Sequence, residues 1–318
     1  MTSETFTQVR KRFWDSIQSL FANDTFAYIT KRLVQAAITL LLASALCFTI
    51  TQLAPGNFLD KYENMPQISQ ETIEQLREQF GLDKPAVQQY WIWLKQILTQ
   101  GDFGFSFENR RPVSELLWER VPPTLLLAIS SLIVTWAIAI PLGIIAAVHQ
   151  NKRLDRVLQV VSYTGQGFPA FITALLLLYL AQNTSPLFPI GGMTSIDFPD
   201  LSLGGKIADL AWHMILPTIA LSITSFAGLQ RLMRGQLLDV LRQDYIQTAR
   251  AKGLPENRVI YVHALRNAIN PLITLLGFEF AGLLGGAFIT ENFFNWPGLG
   301  KLVLQAVRQQ DLYLVMAS

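Results

Sequence analysis

Five apolar stretches, each without a charged residue or nearly so, alternate with segments in which the polar residues collect. They run from Leu33 to Leu59, Val121 to Asn151, Val157 to Ile196, Leu210 to Gln230 and Asn267 to Thr290, the last interrupted only by Glu279. A membrane crossing needs about 20 apolar residues to traverse about 30 Å of hydrocarbon, and every stretch reaches that length. The pattern therefore predicts an all-α polytopic membrane protein with spans at about 31–54, 124–148, 157–182, 211–231 and 268–290.

Between the spans the period changes. Phe6, Val9, Phe13, Ile17 and Leu20 recur at helical spacing beside Arg10, Lys11 and Arg12. Residues 1–30 fit a helix lying on the membrane surface and equally a disordered basic leader. In the segment 55–121, Ser69 with Glu71 and Glu74 favours a helix start and Gly81 a stop, although Thr72 leaves the capping box incomplete. A second helix is predicted from the region of Asp83 and Pro85, with Val87, Tyr90, Trp91, Leu94, Ile97 and Leu98 as its apolar stripe and Gly101 as its terminator.

Composition adds two exclusions. The 318 residues are 51% hydrophobic and 15% charged, and 25 Lys+Arg against 23 Asp+Glu leave a net charge of +2, which predicts no nucleic-acid partner. Cys47 is the single cysteine, so no intrachain disulfide forms. Inside the first span it reads as a small apolar residue, and Leu46 before it is unsuited to a lipoprotein cleavage site.

Charge position orients the spans, because Lys and Arg are retained on the cytoplasmic side. Five lie in the first 32 residues, Lys152, Arg153 and Arg156 lie between the second and third spans, and Arg231, Arg234, Arg242, Arg250, Lys252, Arg258 and Arg266 lie between the fourth and fifth. Residues 183–211 hold only Lys206 beside Asp197, Asp200 and Asp209. The N-terminus is expected inside, and the long segment 55–121 outside.

Two polar features sit at membrane depth. Ser162-Tyr163-Thr164-Gly165-Gln166-Gly167-Phe168-Pro169 combines hydroxyls, an amide and helix breakers, whose freed backbone groups need protein or a water-filled cavity. Either a tight crossing of small residues or a solute path lined by Tyr163, Thr164 and Gln166 explains it. Glu279 poses the same choice between pathway and vestibule. Catalytic signatures do not appear: there is no nucleotide-phosphate loop, no zinc pattern, no nucleophile elbow, and His149, His213 and His263 are far apart. No metal and no catalytic residue is predicted.

The segment Gln243 to Pro255 reads as a short peg. Asp244 is expected to cap a helix, Ala249 and Ala251 to keep it thin, and Gly253 and Pro255 to end it, while Arg250 and Lys252 offer charge-assisted bonds to a partner. Simple topogenic charge explains the basic residues equally well.

Asp244-Tyr245-Ile246-Gln247-Thr248-Ala249-Arg250-Ala251-Lys252-Gly253-Leu254, followed by His263-Ala264-Leu265-Arg266-Asn267-Ala268 and Pro271, resembles the EAA loop of binding-protein-dependent ABC importer permeases. More narrowly, the sequence is similar to the first permease of the dipeptide/oligopeptide/nickel group. Leu53-Ala54-Pro55-Gly56, Phe80-Gly81-Leu82-Asp83-Lys84-Pro85, Gly101-Asp102-Phe103-Gly104-Phe105-Ser106 and Glu291-Asn292-Phe293-Phe294-Asn295-Trp296-Pro297-Gly298-Leu299-Gly300 extend the likeness over about residues 26–318. Residues before it have no counterpart in that pattern, and Thr248-Ala249-Arg250 replaces the usual acidic-Ala-Ala opening.

The resemblance implies a type I ABC importer transmembrane domain over 122–318, preceded by the first span and the helical outer loop. Six spans are expected of that fold; the chain stops where the sixth begins, from Leu312, and is expected to be a fragment. The implied partners are a second permease, two ATPase subunits that bind the ATP, an extracytoplasmic solute-binding protein and membrane lipid, in a bacterial inner membrane. This chain would bind no cofactor. Its coupling helix would comprise Asp244, Tyr245, Thr248, Ala249, Arg250, Ala251, Lys252, Gly253 and Leu254, and its cargo would be peptides or similar small solutes. An ATP-independent channel or secondary carrier is the competing reading of the same spans.

Overall fold

The computed structural model describes residues 24–53, 71, 74, 84–106, 108–184 and 187–318. The surface-helix reading of the N-terminal segment and the helix expected between Ser69 and Gly81 lie outside these residues. Two compact units are present: Met1–Arg110 with Gln309–Ala317, and Arg111–Arg308. Apart from two strands of two residues each, Phe105–Ser106 and Arg111–Pro112, regular structure among the described residues is helical.

In the first unit, α1 (Asp24–Leu53) and α2 (Ala86–Gln100) pack together. Nearly all of α1 is exposed, with Leu33, Leu40 and Leu42 among its outward residues, which suits a helix whose solvent is lipid. Its contact face is polar and aromatic: the hydroxyls of Ser44 and Tyr90 lie 2.8 Å apart, and the Phe48 and Tyr90 rings are 5.5 Å apart. Helix α2 starts after Pro85 and ends at Gly101, whose φ of 66° is the left-handed terminator the sequence predicts. Asp311, fully buried, accepts the Ser106 hydroxyl at 2.5 Å and the Glu108 N–H at 3.4 Å. Burial pushes its carboxyl above the usual carboxylate range.

The second unit is a helical bundle: α3 (Val113–Val148), α4 (Arg153–Gly167), α5 (Ala170–Asn183), α6 (Leu203–Leu241), α7 (Asp244–Ala251) and α8 (Asn270–Phe293). Between α7 and α8, Glu256–Arg258, the π-helical Val259–Ala264 and Leu265–Ala268 follow one another. The amphipathic α9 (Leu299–Gln309) follows, and the short α10 (Leu312–Ala317) belongs to the first unit. Helices α3 and α6 form the central crossing. Gly143 permits it, because a Cβ there would approach Met233 Cβ at 2.7 Å and the Gln230 carbonyl oxygen at 2.8 Å. In lipid, where burial of apolar surface drives little association, close backbone approach of this kind holds helices together.

Among the described residues, four helices are long and apolar enough to cross a membrane: Phe26–Leu53, Val113–Val148, Leu203–Ile223 and Asn270–Phe293. The predicted third span is instead a bent pair, α4 and α5, turned by 99° at Phe168-Pro169. Proline supplies no N–H and disfavours helix in the residue before it, so Phe168 adopts an extended conformation (φ −86°, ψ 121°) and the chain turns. Helices α3 and α6 also overrun the apolar stretches that predict them. Apolar run length measures hydrocarbon thickness, whereas the helices continue into charged segments.

Candidate functional site

The peg predicted at 244–254 forms as α7, with two faces set by helical spacing. Ile246 and Ala249, three residues apart, are buried, while Asp244, Tyr245, Gln247, Thr248, Ala251, Lys252 and Gly253 are exposed. Ile246 and Ala249 join a core that also contains Ile144 and Ala147 of α3, Leu229, Met233 and Leu237 of α6, and Val259, Ile260 and Ala264 of the following segment. The inner face of α7 is thus fixed to the bundle, and its polar face is exposed.

Its ends differ in detail from the sequence reading. Gln243 stands at the N-cap with no side-chain cap bond, and Asp244 is the first helical residue. An acidic group there acts through the helix dipole instead of capping a backbone N–H. At the other end the Gly253 N–H donates to the Arg250 carbonyl (2.9 Å) and the Leu254 N–H to that of Ala249 (3.4 Å), with Gly253 at φ 75°. This is a Schellman cap. Pro255 does not end α7 but heads the next helical turn.

Ala249 faces inward, so it anchors the helix instead of thinning its outer surface. Arg250 is held by Glu256, Nη2 to Oε1 at 2.6 Å and Nε to Oε2 at 3.2 Å, and the guanidinium holds that carboxyl below its usual range. Of the two basic residues in the peg, Lys252 is the outward one. The Asn267 amide donates to the Tyr245 hydroxyl (2.7 Å), and the Thr248 hydroxyl donates to the Asp244 carbonyl (2.9 Å).

The polar residues at membrane depth are not one cluster. Ser162 is buried and donates to Gln230 Oε1 at 2.6 Å, so part of this polar run serves a helix crossing. Tyr163 is exposed with the Arg231 guanidinium 5.2 Å from its ring centroid, and Thr164 and Gln166 are exposed just before the break. Glu279 is half-buried on α8. No described hydrogen bond or ion pair joins it to Tyr163, Thr164 or Gln166.

Besides Asp311, two buried acids escape a sequence reading. Asp155, the one acidic residue among Lys152, Arg153 and Arg156, accepts Arg234 Nε at 2.7 Å and Nη2 at 2.8 Å. Glu291 accepts the Thr124 hydroxyl at 2.5 Å and the Lys301 N–H at 3.2 Å, while Trp296 Nε1 donates to the Pro123 carbonyl at 3.0 Å. A signal existed in each case: a lone acid in a basic connection, and an acid opening a Gly/Pro-rich turn at the end of an apolar helix.

Long apolar helices, one of them broken, around an exposed peg define a polytopic membrane subunit of the transport type. The chain belongs to the family described as binding-protein-dependent transport system inner membrane component, whose model matches residues 139–317, with the N-terminal model of the same systems matching 25–128. It is 40% identical over 292 residues to the oligopeptide transport system permease protein AppB of Bacillus subtilis, covering 92% of this chain and 90% of that one. Against the glutathione transport system permease protein GsiC of Escherichia coli K12 it is 37% identical over 292 residues, 91% of this chain and 89% of that one. The inward-facing MetNI methionine ABC transporter gives a TM-score of 0.49 at 16% identity, covering 64% of this chain and 88% of that one. The protein is a permease subunit of an ABC importer, with the type I transmembrane fold of its family, and the channel-or-carrier reading gives way to that role.

Proposed function

We propose that the exposed face of α7 is the surface through which ATP hydrolysis in partner subunits drives this permease. The observation that carries the proposal is the two-sidedness of α7: Ile246 and Ala249 are sunk in the core shared with α3 and α6, while Asp244, Tyr245, Thr248, Ala251 and Lys252 point away. A rigid peg of this kind passes force inward. For that force to bias transport, the partner contact must differ in free energy between two states of the spans.

On this reading the chain pairs with a second permease and two ATPase subunits, and a solute-binding protein delivers cargo at the opposite face. It binds no ATP and no other cofactor itself. The N-terminus lies in the cytoplasm of a bacterium whose inner membrane holds the spans. Tyr163, Thr164, Gln166 and Glu279 are the candidate pathway residues, supported by the exposure of Thr164 and Gln166 beside the break and by the place of the half-buried Glu279 inside an apolar helix. The names of AppB and GsiC point to small peptides, glutathione included, as the cargo class.

The orientation is tested with a single cysteine at position 252. In a Cys47→Ser background, Lys252→Cys is expected to react with a membrane-impermeant maleimide in inside-out vesicles and to stay unlabelled in intact cells. Labelling in intact cells would place α7 on the wrong side for any ATPase contact.

A further inference from the structure

We propose that Asp155 and Arg234 are positioning residues that clamp α4 to α6, so that movement received at α7 reaches the break at Phe168-Pro169 and the exposed residues before it. The inference rests on the coupling role proposed for α7.

The clamp is a built contact. Asp155 is fully buried, and the Arg234 side chain is only 18% exposed. The guanidinium binds both carboxylate oxygens, at 2.7 and 2.8 Å. Gln159 Nε2 donates to Oδ1 at 2.8 Å and the Asn151 N–H to Oδ2 at 2.8 Å, so the carboxylate is satisfied from three directions. A planar fork on a carboxylate fixes orientation as well as distance, which a lysine would not do. Buried ion pairs add little net stability over apolar residues of the same size, and geometric specificity is one role they can serve instead.

Further contacts lie beyond it along the two helices. Positions 155, 162 and 163 of α4 meet 234, 230 and 231 of α6, through the Asp155–Arg234 pair, the Ser162–Gln230 hydrogen bond at 2.6 Å and Arg231 over the Tyr163 ring. From 155 to 162–163 on α4 the partners fall from 234 to 230–231 on α6, and Gly165 lies against Ile223 and Ala227, so the two helices run antiparallel with polar links along the contact. The bend that follows Gly167 separates α4 from α5, leaving α4 a short lever with its own attachment.

The other end of the path is equally defined. Met233 and Leu237, flanking Arg234, share a core with Ile246 and Ala249 of α7, and only Arg242 and Gln243 separate α6 from α7. A push on α7 therefore reaches α6 through packed side chains within one helical turn of Arg234. The ion pair is the strongest polar link that obliges α4 to follow. Without it, α6 can move while Thr164 and Gln166 stay behind. Single substitutions along such chains change a coupling by about 2- to 30-fold, enough to tilt a two-state equilibrium.

The test uses the assembled transporter in lipid, with both permeases and both ATPases. Spin labels at Val157→Cys on the exposed face of α4 and Asp239→Cys on exposed α6, in a Cys47→Ser background, report the distance between the helices with and without trapped ATP. With Asp155 and Arg234 present the distance is expected to stay constant on ATP binding. In the double variant Asp155→Asn with Arg234→Gln, which leaves no lone charge in the bundle, ATP is expected to shift it by about 2 Å, the upper end of helix movements at such interfaces. A shift in the parent protein, or none in the double variant, overturns the clamp. Should the double variant fail to assemble, the parent measurement still decides. A cysteine at Ala251 that never crosslinks to an ATPase, with the 155–234 pair intact, would instead sink the coupling role of α7 itself.

Discussion

Thr124, Glu291, Trp296 and Gly298 form a knot in which each residue is required by another. The Thr124 hydroxyl donates to Glu291 and accepts the Leu299 N–H at 2.8 Å, while the Trp296 N–H donates to the Glu291 carbonyl at 2.8 Å. Gly298 lies so close that a Cβ there would overlap the Glu291 carboxylate, a fully buried group held by the Thr124 hydroxyl and the Lys301 N–H. Gly298→Ala is thus expected to cost about 1–3 kcal/mol, the range for overpacking, and to lower the thermal unfolding midpoint of purified protein in detergent; an unchanged midpoint would show that the turn yields. The sequence marks this turn by its Gly/Pro content and its likeness to the family, but nothing in residue order announces that Glu291 bonds across 167 positions to Thr124. Long-range polar pairing of this kind is invisible to periodicity, which reports only faces of one helix. Asp155 and Arg234 were hidden for the same reason: in the sequence they are entries in a charge tally, and only the fold brings them within 2.7 Å.

Among the elements, the legible ones are those whose physics is local. Apolar run length yields four of the crossing helices, and Pro85 and Gly101 frame α2 because an initiating proline and a left-handed glycine act within one turn. The broken third span is half legible: Pro169 marks an interruption, while the 99° angle is seen only in the fold, where α4 and α5 each pack on α6. Helix α7 was readable as an element and misread at its ends and inner face, since sequence alone does not tell which alanine faces the bundle. Its Schellman cap makes a sharp prediction. Gly253 has open space around its missing Cβ, so a side chain there meets only the backbone cost of φ 75°, about 1–2 kcal/mol for an ordinary L-residue. Gly253→Val is expected to reduce solute uptake per ATP hydrolysed in reconstituted transporter, and Gly253→Asn, which tolerates that conformation, to retain most of it. Equal losses in both variants would mean that the side chain, and not the helix exit, matters.

At the scale of the whole molecule, the second unit divides its labour between two cores. One gathers Ile246 and Ala249 of α7 with the ends of α3 and α6; the other packs Leu127 and Ala128 of α3 against Leu221 of α6, Leu283 and Ala287 of α8, and Trp296. The same two long helices, α3 and α6, run through both, so a displacement entering at α7 has a continuous packed route along the bundle. On the proposed coupling role, the motor lies outside this chain and the receiver within it. Its most direct test is disulfide crosslinking between a single cysteine at Ala251, in a Cys47→Ser background, and cysteines in the docking groove of the partner ATPase, in membranes with and without trapped nucleotide. A crosslink that forms from Ala251→Cys but not from a cysteine at buried Ile246, with a yield that changes on ATP trapping, is the predicted result. Absence of any crosslink in a complex that still imports solute would contradict the account.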